Sequence, residues 1–331
     1  MAVKPDQCIR SFGTSYMHKQ LKAILAEVPG VQSAADQECI HRMRVASRRL
    51  RAAQTYFDNS LPRKVRPNWE KQTRDLTRSL GQARDLDIQM QTLRRFQILR
   101  EQQDFMPGIE PLLQKLLTQR DQAQQEVQSV ASALMESKII ARVGSLLSSR
   151  VMEENGFEPS TPMKLLANRA IRAKLQRFLK YETYIHDPER ILELHAMRIA
   201  AKRLRYTLEI FSPLDKNGYK SWLRLIKLLQ EQLGAIHDCD VWMVFLPQLH
   251  NPEGNNSANT GITLFQLNRS NTRHRLYTQF IREWDVSREK RVWERLEEHL
   301  DKTYPVERTG MINRLINIEQ IEECHEDSDH Q

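Results

Sequence analysis

Apolar residues recur every three or four positions along most of this chain, the spacing of helices that bury one face. In residues 41–57, HRMRVASRRLRAAQTYF, the residues Met43, Ala46, Leu50, Ala53 and Phe57 share a sector of about 80° on a helical wheel. His41, Arg44, Arg48 and Arg51 share another sector on the far side. Residues 195–211 repeat the arrangement, with Met197, Ala200, Leu204 and Phe211 set against His195, Arg198, Lys202 and Arg205. Tyr206 stands beside that second cationic line and Glu209 at its end. Further on, Trp69, Leu76 and Leu80 oppose Lys71, Arg74 and Arg78, while Trp222, Leu225, Leu229 and Leu233 oppose Arg224 and Lys227. Ile171, Leu175 and Phe178 oppose Arg169 and Arg172; Leu276, Phe280 and Trp284 oppose Arg275 and Arg282. The first helix is sparser in cations, with Lys19 near Tyr16. No segment alternates with the period of two that a strand requires. Helices are expected at about 10–28, 36–58, 68–102, 108–150, 162–184, 189–212, 217–249 and 262–302, with breaks or kinks in the third and fourth.

The chain repeats itself. At an offset of 154, His41, Met43, Arg44, Ala46, Arg49, Leu50, Arg51 and Phe57 coincide with the same residue types from His195 to Phe211. At an offset of 153, Trp69, Leu76, Leu80, Gly81, Asp85, Asp87 and Met90 recur as Trp222, Leu229, Leu233, Gly234, Asp238, Asp240 and Met243. Two blocks at nearly one offset mark an internal duplication. The sequence therefore predicts an all-α protein of two antiparallel four-helix units, 10–152 and 161–302. Between them EENGFEPSTP (153–162) reads as a linker, with Thr161 as N-cap and Pro162 opening the next helix. NPEGNNSANTG (251–261) reads as a loop. Residues 303–331 form a terminal segment ending in an acidic stretch that reads as unpacked, or as a weak competitor for the cationic lines.

Composition adds a direction. Lys and Arg number 50 against 42 acids, a net charge of +8 and a pI near 9.3, which favours an anionic partner. Cys8, Cys39, Cys239 and Cys324 are scattered without a CxxC pair, as expected for reduced thiols of a cytoplasmic protein. No apolar run is long enough for a bilayer, so no membrane partner is expected.

The cationic lines are the candidate chemistry. A solvated face ordinarily interleaves charges of both signs, yet from His41 to Tyr56 there is no acid. Arginine, which grips phosphate oxygens with two donors, dominates the line. Arg49 falls in neither sector and reads as a surface or bridging residue. Asp85 and Asp238 fall in register with the cationic lines and are expected to orient the inward arginines. Asp87 and Asp240, two residues further, point about 200° away, so Asp-x-Asp is not a metal pair on an unbroken helix. Gly81 and Gly234 read as places of close helix approach or a kink. No phosphate-binding loop, dinucleotide fingerprint, nucleophile elbow or zinc-protease motif occurs, and neither a cofactor nor a metal is expected. The tryptophans sit among apolar residues and read as core.

The doubled HxMRVxxRRLR…LGxxRDxD and HAMRIAAKRLRYxxExF…LGxxxD resembles the CHAD domain, a family of histidine-containing α-helical domains, over about residues 10–300. The resemblance implies one domain, 10–302, of two bundles with pseudo-two-fold symmetry around a basic channel that binds inorganic polyphosphate. Some relatives associate with polyphosphate granules. Position by position it points to His41, Arg44, Arg48, Arg51, His195, Arg198, Lys202 and Arg205, and less directly to Tyr206 and the basic residues of the neighbouring helices. Many relatives carry a fused triphosphate-tunnel domain with an ExExK motif; this sequence has none, so no hydrolase activity is implied. The expectation is a non-enzymatic polyphosphate binder, open to other polyanions. Nucleic-acid binding is the alternative on charge, and phosphate hydrolysis or transfer a third.

Overall fold

The computed structural model describes residues 5–33, 37–99, 106–149, 160–215, 219–249 and 256–303. Among them are ten α-helices and no strand. The first half holds α1 (Pro5–Ser33), α2 (Gln37–Phe57), α3 (Arg66–Leu99), α4 (Met106–Glu136) and α5 (Lys138–Ser148). The second holds α6 (Thr161–Leu179), α7 (Ile191–Phe211), α8 (Lys220–Phe245), α9 (Asn256–Glu289) and α10 (Val292–Thr303). Most of the expected linker, the acidic end 318–331 and Cys324 lie outside the described residues. Cys8, Cys39 and Cys239 form no disulfide.

The all-helical class is as the periodicity predicts, and the differences are local. The fourth helix of each half is divided, as expected in the first half but not in the second. In the first half Ser137 is extended and its hydroxyl caps α5 by accepting from the Ile140 amide, so the chain restarts rather than bends. In the second half the expected single helix 262–302 stops at Glu289 and resumes at Val292, with Arg291 at φ 51° in the left-handed region. The third helix, expected to break, runs from Arg66 to Leu99 without interruption. The loop expected at 251–261 is shorter, because α9 already begins at Asn256. Helix α6 takes Ser160 rather than Thr161 as its N-cap residue, with Pro162 inside the first turn.

The predicted apolar stripes form the core. Met43, Ala46, Leu50, Ala53 and Phe57 of α2, and Met197, Ala200, Leu204 and Phe211 of α7, are buried in one cluster that spans both halves. Trp69, Trp242, Trp284 and Trp293 are buried, and Trp222 packs against the same core. Gly13 lets α1 lie close on α2: a Cβ there would sit 2.3 Å from the Phe57 ring.

The halves meet in several places, among them α1 against α6. Along α2 and α7, Tyr56 and Thr207 share a hydrogen bond of 2.9 Å, Arg49 donates to Glu209 at 2.9 Å, and the Phe57 and Phe211 rings meet edge to face. At the far ends of α3, α4, α8 and α9, a second apolar cluster joins Met90, Leu93, Phe96, Leu112, Trp242 and Phe265. Arg49 is thus the bridging residue its off-line position suggested.

Within each half one buried ion pair ties the third helix to the fourth. Arg120 donates to Asp87 at 2.7 Å, and Arg273 donates to Asp240. Both partners shift by 153 residues between the halves, so the pair is part of the duplication. Each arginine also reaches toward the first two helices of its half, at the last turn of α1 or just ahead of α7. Arg120 does so through Gln124, which donates to the Val31 carbonyl, and Arg273 donates directly to that of Pro188.

Candidate functional site

Between the halves the two cationic lines face one another. Arg44 and Arg48 come from α2, Arg198 and Lys202 from α7, and all four are at least half-buried. Burial, and after it the Arg48 guanidinium, brings Arg44 down to about 10. Arg198 is lowered by burial and again by Arg48, with Asp238 and Asp85 opposing the fall. Lys202 is pushed well below the usual lysine value, by burial first and then by Arg198, Arg48 and Arg44 in turn. Cations from opposite halves therefore repel across a partly dehydrated space.

Donors there go unused. The Nε atoms of Arg44, Arg198 and Arg205 and the Nδ1 of His41 are buried and have no hydrogen-bond partner. An N–H shut away from both water and an acceptor is costly, so these donors are free to take the oxygens of an anion. Acids near the cluster neutralise little of it. Asp85 reaches the Arg44 Nη2 at 3.4 Å, but its side chain is 66% exposed. Burial raises Asp238, against the pull of Arg198, Lys202 and Arg44. Asp85 thus contacts Arg44 across the site, and Asp238 acts on Arg198 by charge. Beside them His195 and His237 bring their Nδ1 atoms to 3.0 Å, so one ring must donate to the other. His237 is held at about 3 by burial and by Arg198, His195 and Lys202.

A profile for the CHAD domain matches residues 15–247, more than half of the sequence. The chain belongs to the CHAD domain family. The crystal structure of the CHAD domain from the plant Ricinus communis resembles it at 22% identity and a TM-score of 0.55, covering 82% of this chain and 89% of that one. PptA from Streptomyces chartreusis resembles it at 14% identity and a TM-score of 0.59, covering 84% of this chain and 99% of that one. At such identities the likeness concerns the fold. No curated protein matches the chain. The CHAD match ends just after α8, whereas α9 packs on α8 and α10 on α6, continuing the second half.

The eight residues picked out by the CHAD motif all stand on α2 and α7, in or beside this space. Arg51 is half-buried. Arg205 stacks over the Tyr206 ring at 4.6 Å and reaches Glu209 at 3.4 Å, and Tyr206 in turn acts on Arg44. The neighbouring helices behave differently. Lys71, Arg74 and Arg78 of α3, Arg224 and Lys227 of α8, Arg275 and Arg282 of α9 and Lys19 of α1 are all exposed. None of them is among the main influences on Arg44, Arg198 or Lys202. Arg172 is engaged with Asp301 of α10 at 2.6 Å. Arg169 is half-buried on α6 with an unpartnered Nη1.

Sequence reasoning passed over two groups that do belong. Arg84 of α3 acts on Arg44, and His237 of α8 pairs with His195. They occupy one repeat position, 153 apart, immediately before Asp85 and Asp238. A cationic or protonatable residue at the same place in both copies was the available signal. No helix among the described residues is long and apolar enough to cross a membrane. Nor does any group of three or more His, Cys, Asp or Glu there offer a metal site.

Proposed function

We propose that this CHAD protein binds inorganic polyphosphate between its two halves and does no chemistry on it. The observation that carries the reading is the pair of buried, unpartnered Nε donors at Arg44 and Arg198, one from each half, beside a lysine whose hold on its proton is weakened by burial and by the neighbouring cations. Phosphate oxygens would satisfy those donors and supply the charge that is missing. A flexible polymer of phosphates offers such oxygens repeatedly and needs no base-reading groups. Granules of polyphosphate are then the place where the protein would collect, with the cytoplasm as its compartment.

Nucleic acid fits less well. The tryptophans are taken up by the core and leave no stacking platform. The halves are joined both along α2 and α7 and at the ends of α3, α4, α8 and α9, which favours a thin single strand over a duplex. Phosphoryl transfer would want free carboxylates to hold magnesium. Here Asp87 and Asp240 are spent on Arg120 and Arg273, while Asp85 and Asp238 lie among the cations and belong to no metal-holding group among the described residues.

Thermal unfolding at low salt tests the proposal. A hundredfold excess of long-chain polyphosphate over its Kd should stabilise the protein by about 2.7 kcal/mol. At ~150 mM salt, duplex DNA should fail to displace labelled polyphosphate. An unchanged melting temperature rejects the proposal. Magnesium-dependent release of orthophosphate that Asp85→Ala abolishes would replace it with an enzyme.

A further inference from the structure

Gly81 and Gly234 occupy one repeat position, 153 residues apart. Both lie within long helices, α3 and α8, that run through them unbroken. Glycine there is a poorer helix former than alanine, and the chain accepts it twice at the same place. The usual structural reasons do not apply. Neither helix is broken at its glycine, and neither glycine has a positive φ. Close packing is not the reason either. A Cβ on Gly81 would meet nothing among the described residues within 4 Å. A Cβ on Gly234 would have one neighbour, the Nε of Arg198, at an ordinary contact distance of 3.8 Å.

That neighbour is one of the buried donors without an acceptor. One helical turn after Gly234 come His237 and Asp238, and one turn after Gly81 come Arg84 and Asp85. Residues three and four apart share a helix face, so both glycines lie on the strip that carries the groups around Arg198 and Arg44. A donor of this kind needs its acceptor at about 2.7–3.2 Å. A side chain at position 234 would stand against the Arg198 Nε, and a larger one would compete with an acceptor for the space around it.

The geometry points to Gly81 and Gly234 as ligand-seating positions: Gly234 omits a side chain so that a phosphoryl oxygen can reach the buried guanidinium Nε of Arg198, and Gly81 leaves the repeat-equivalent place, one helical turn before Arg84 and Asp85, open in the other half. The inference rests on the polyphosphate reading above and adds what that reading does not contain, a size limit at two uncharged residues. It also replaces the expected kink or close helix approach with an open space.

Gly234→Ala, Gly234→Leu, Gly81→Ala and Gly81→Leu in the full chain test it, with the free protein's melting temperature and its calorimetric affinity for long-chain polyphosphate as paired readouts. The alanine variants should melt no lower than the parent, yet bind more weakly. The leucine variants should lose about tenfold or more in affinity, a graded effect of side-chain size. A glycine needed only for folding would give the opposite pattern, a lower melting temperature with unchanged affinity of the folded fraction, and that result overturns the inference. Unchanged affinity in Gly234→Leu overturns it as well. Should Gly234→Leu fail to fold, Gly234→Ala decides by the same criterion. If the parent protein itself does not bind polyphosphate, the functional proposal fails first; if it binds and all four variants bind equally, only the role of the glycines is lost.

Discussion

His237 shows how a single residue reports the state of the site. In the unfolded chain its imidazole takes a proton near the ordinary value of 6.5; in the fold it does so only at about 3. Between those pH values the unfolded state binds more protons than the folded one. The free protein must therefore lose stability as pH falls through that window. A bound polyanion would supply the missing counter-charge and let His237 keep its proton, so binding should strengthen as pH falls. Melting curves from about pH 8 to pH 5, with and without polyphosphate, check both signs. The free protein should weaken on acidification, the polyphosphate-induced shift should grow, and His237→Gln should flatten both trends. Equal pH profiles for parent and variant would remove His237 from the site. Such a residue was hard to see in advance. Arg44, Arg48, Arg198 and Lys202 were legible because α2 and α7 face each other, so the side opposite the core points between the halves. On α3 and α8 the side opposite the core meets solvent, which is where Lys71, Arg74, Arg78, Arg224 and Lys227 lie. Arg84 and His237 reach the space from the flank of the apolar stripe, a position that a core-versus-opposite reading of the wheel overlooks.

Among the helices the duplicated ion pair carries the sharpest consequence. Asp87 and Arg120 are both buried, with side chains 8% and 10% exposed. Removing one partner strands a desolvated charge, which typically costs about 3–5 kcal/mol; replacing both with apolar residues of similar volume is often near neutral. Arg120→Ala should therefore lower stability in urea by several times more than the combined Asp87→Leu and Arg120→Met change. Arg273→Ala should behave like Arg120→Ala, since it strands Asp240 in the other half. A double replacement as damaging as the single one would mean that the pair holds the α3–α4 and α8–α9 junctions in a way packing cannot reproduce. The repeat put Asp87 and Asp240 on the core side from sequence alone, but their partners lie in the fourth helices, where the two copies have diverged around a shared arginine. The positions of the helix breaks were equally hidden. The cap at Ser137 is one serine among several, and Arg291 enters the left-handed region with no glycine to announce it.

At the level of the whole molecule, the proposal makes the two halves energetically dependent on each other through charge. Arg48 and Lys202 stand on opposite halves, and Lys202 feels Arg48 directly. In the free protein their repulsion opposes the joining of the halves. Arg48→Met and Lys202→Met should each raise the melting temperature without ligand. The double variant should gain less than the sum, because one shared repulsion can be removed only once. For groups in direct interaction such a coupling is on the order of 0.5–3 kcal/mol. In saturating polyphosphate the signs reverse, since each substitution now removes a contact to the anion, and both single variants should show smaller ligand-induced shifts. Two halves that each bound a separate anion would give additive losses with ligand, whatever the coupling in the free protein. Additivity with ligand would therefore reject a single strand lying between α2 and α7. A sign reversal accompanied by non-additivity would instead tie the cost of assembling the halves to the anion that relieves it.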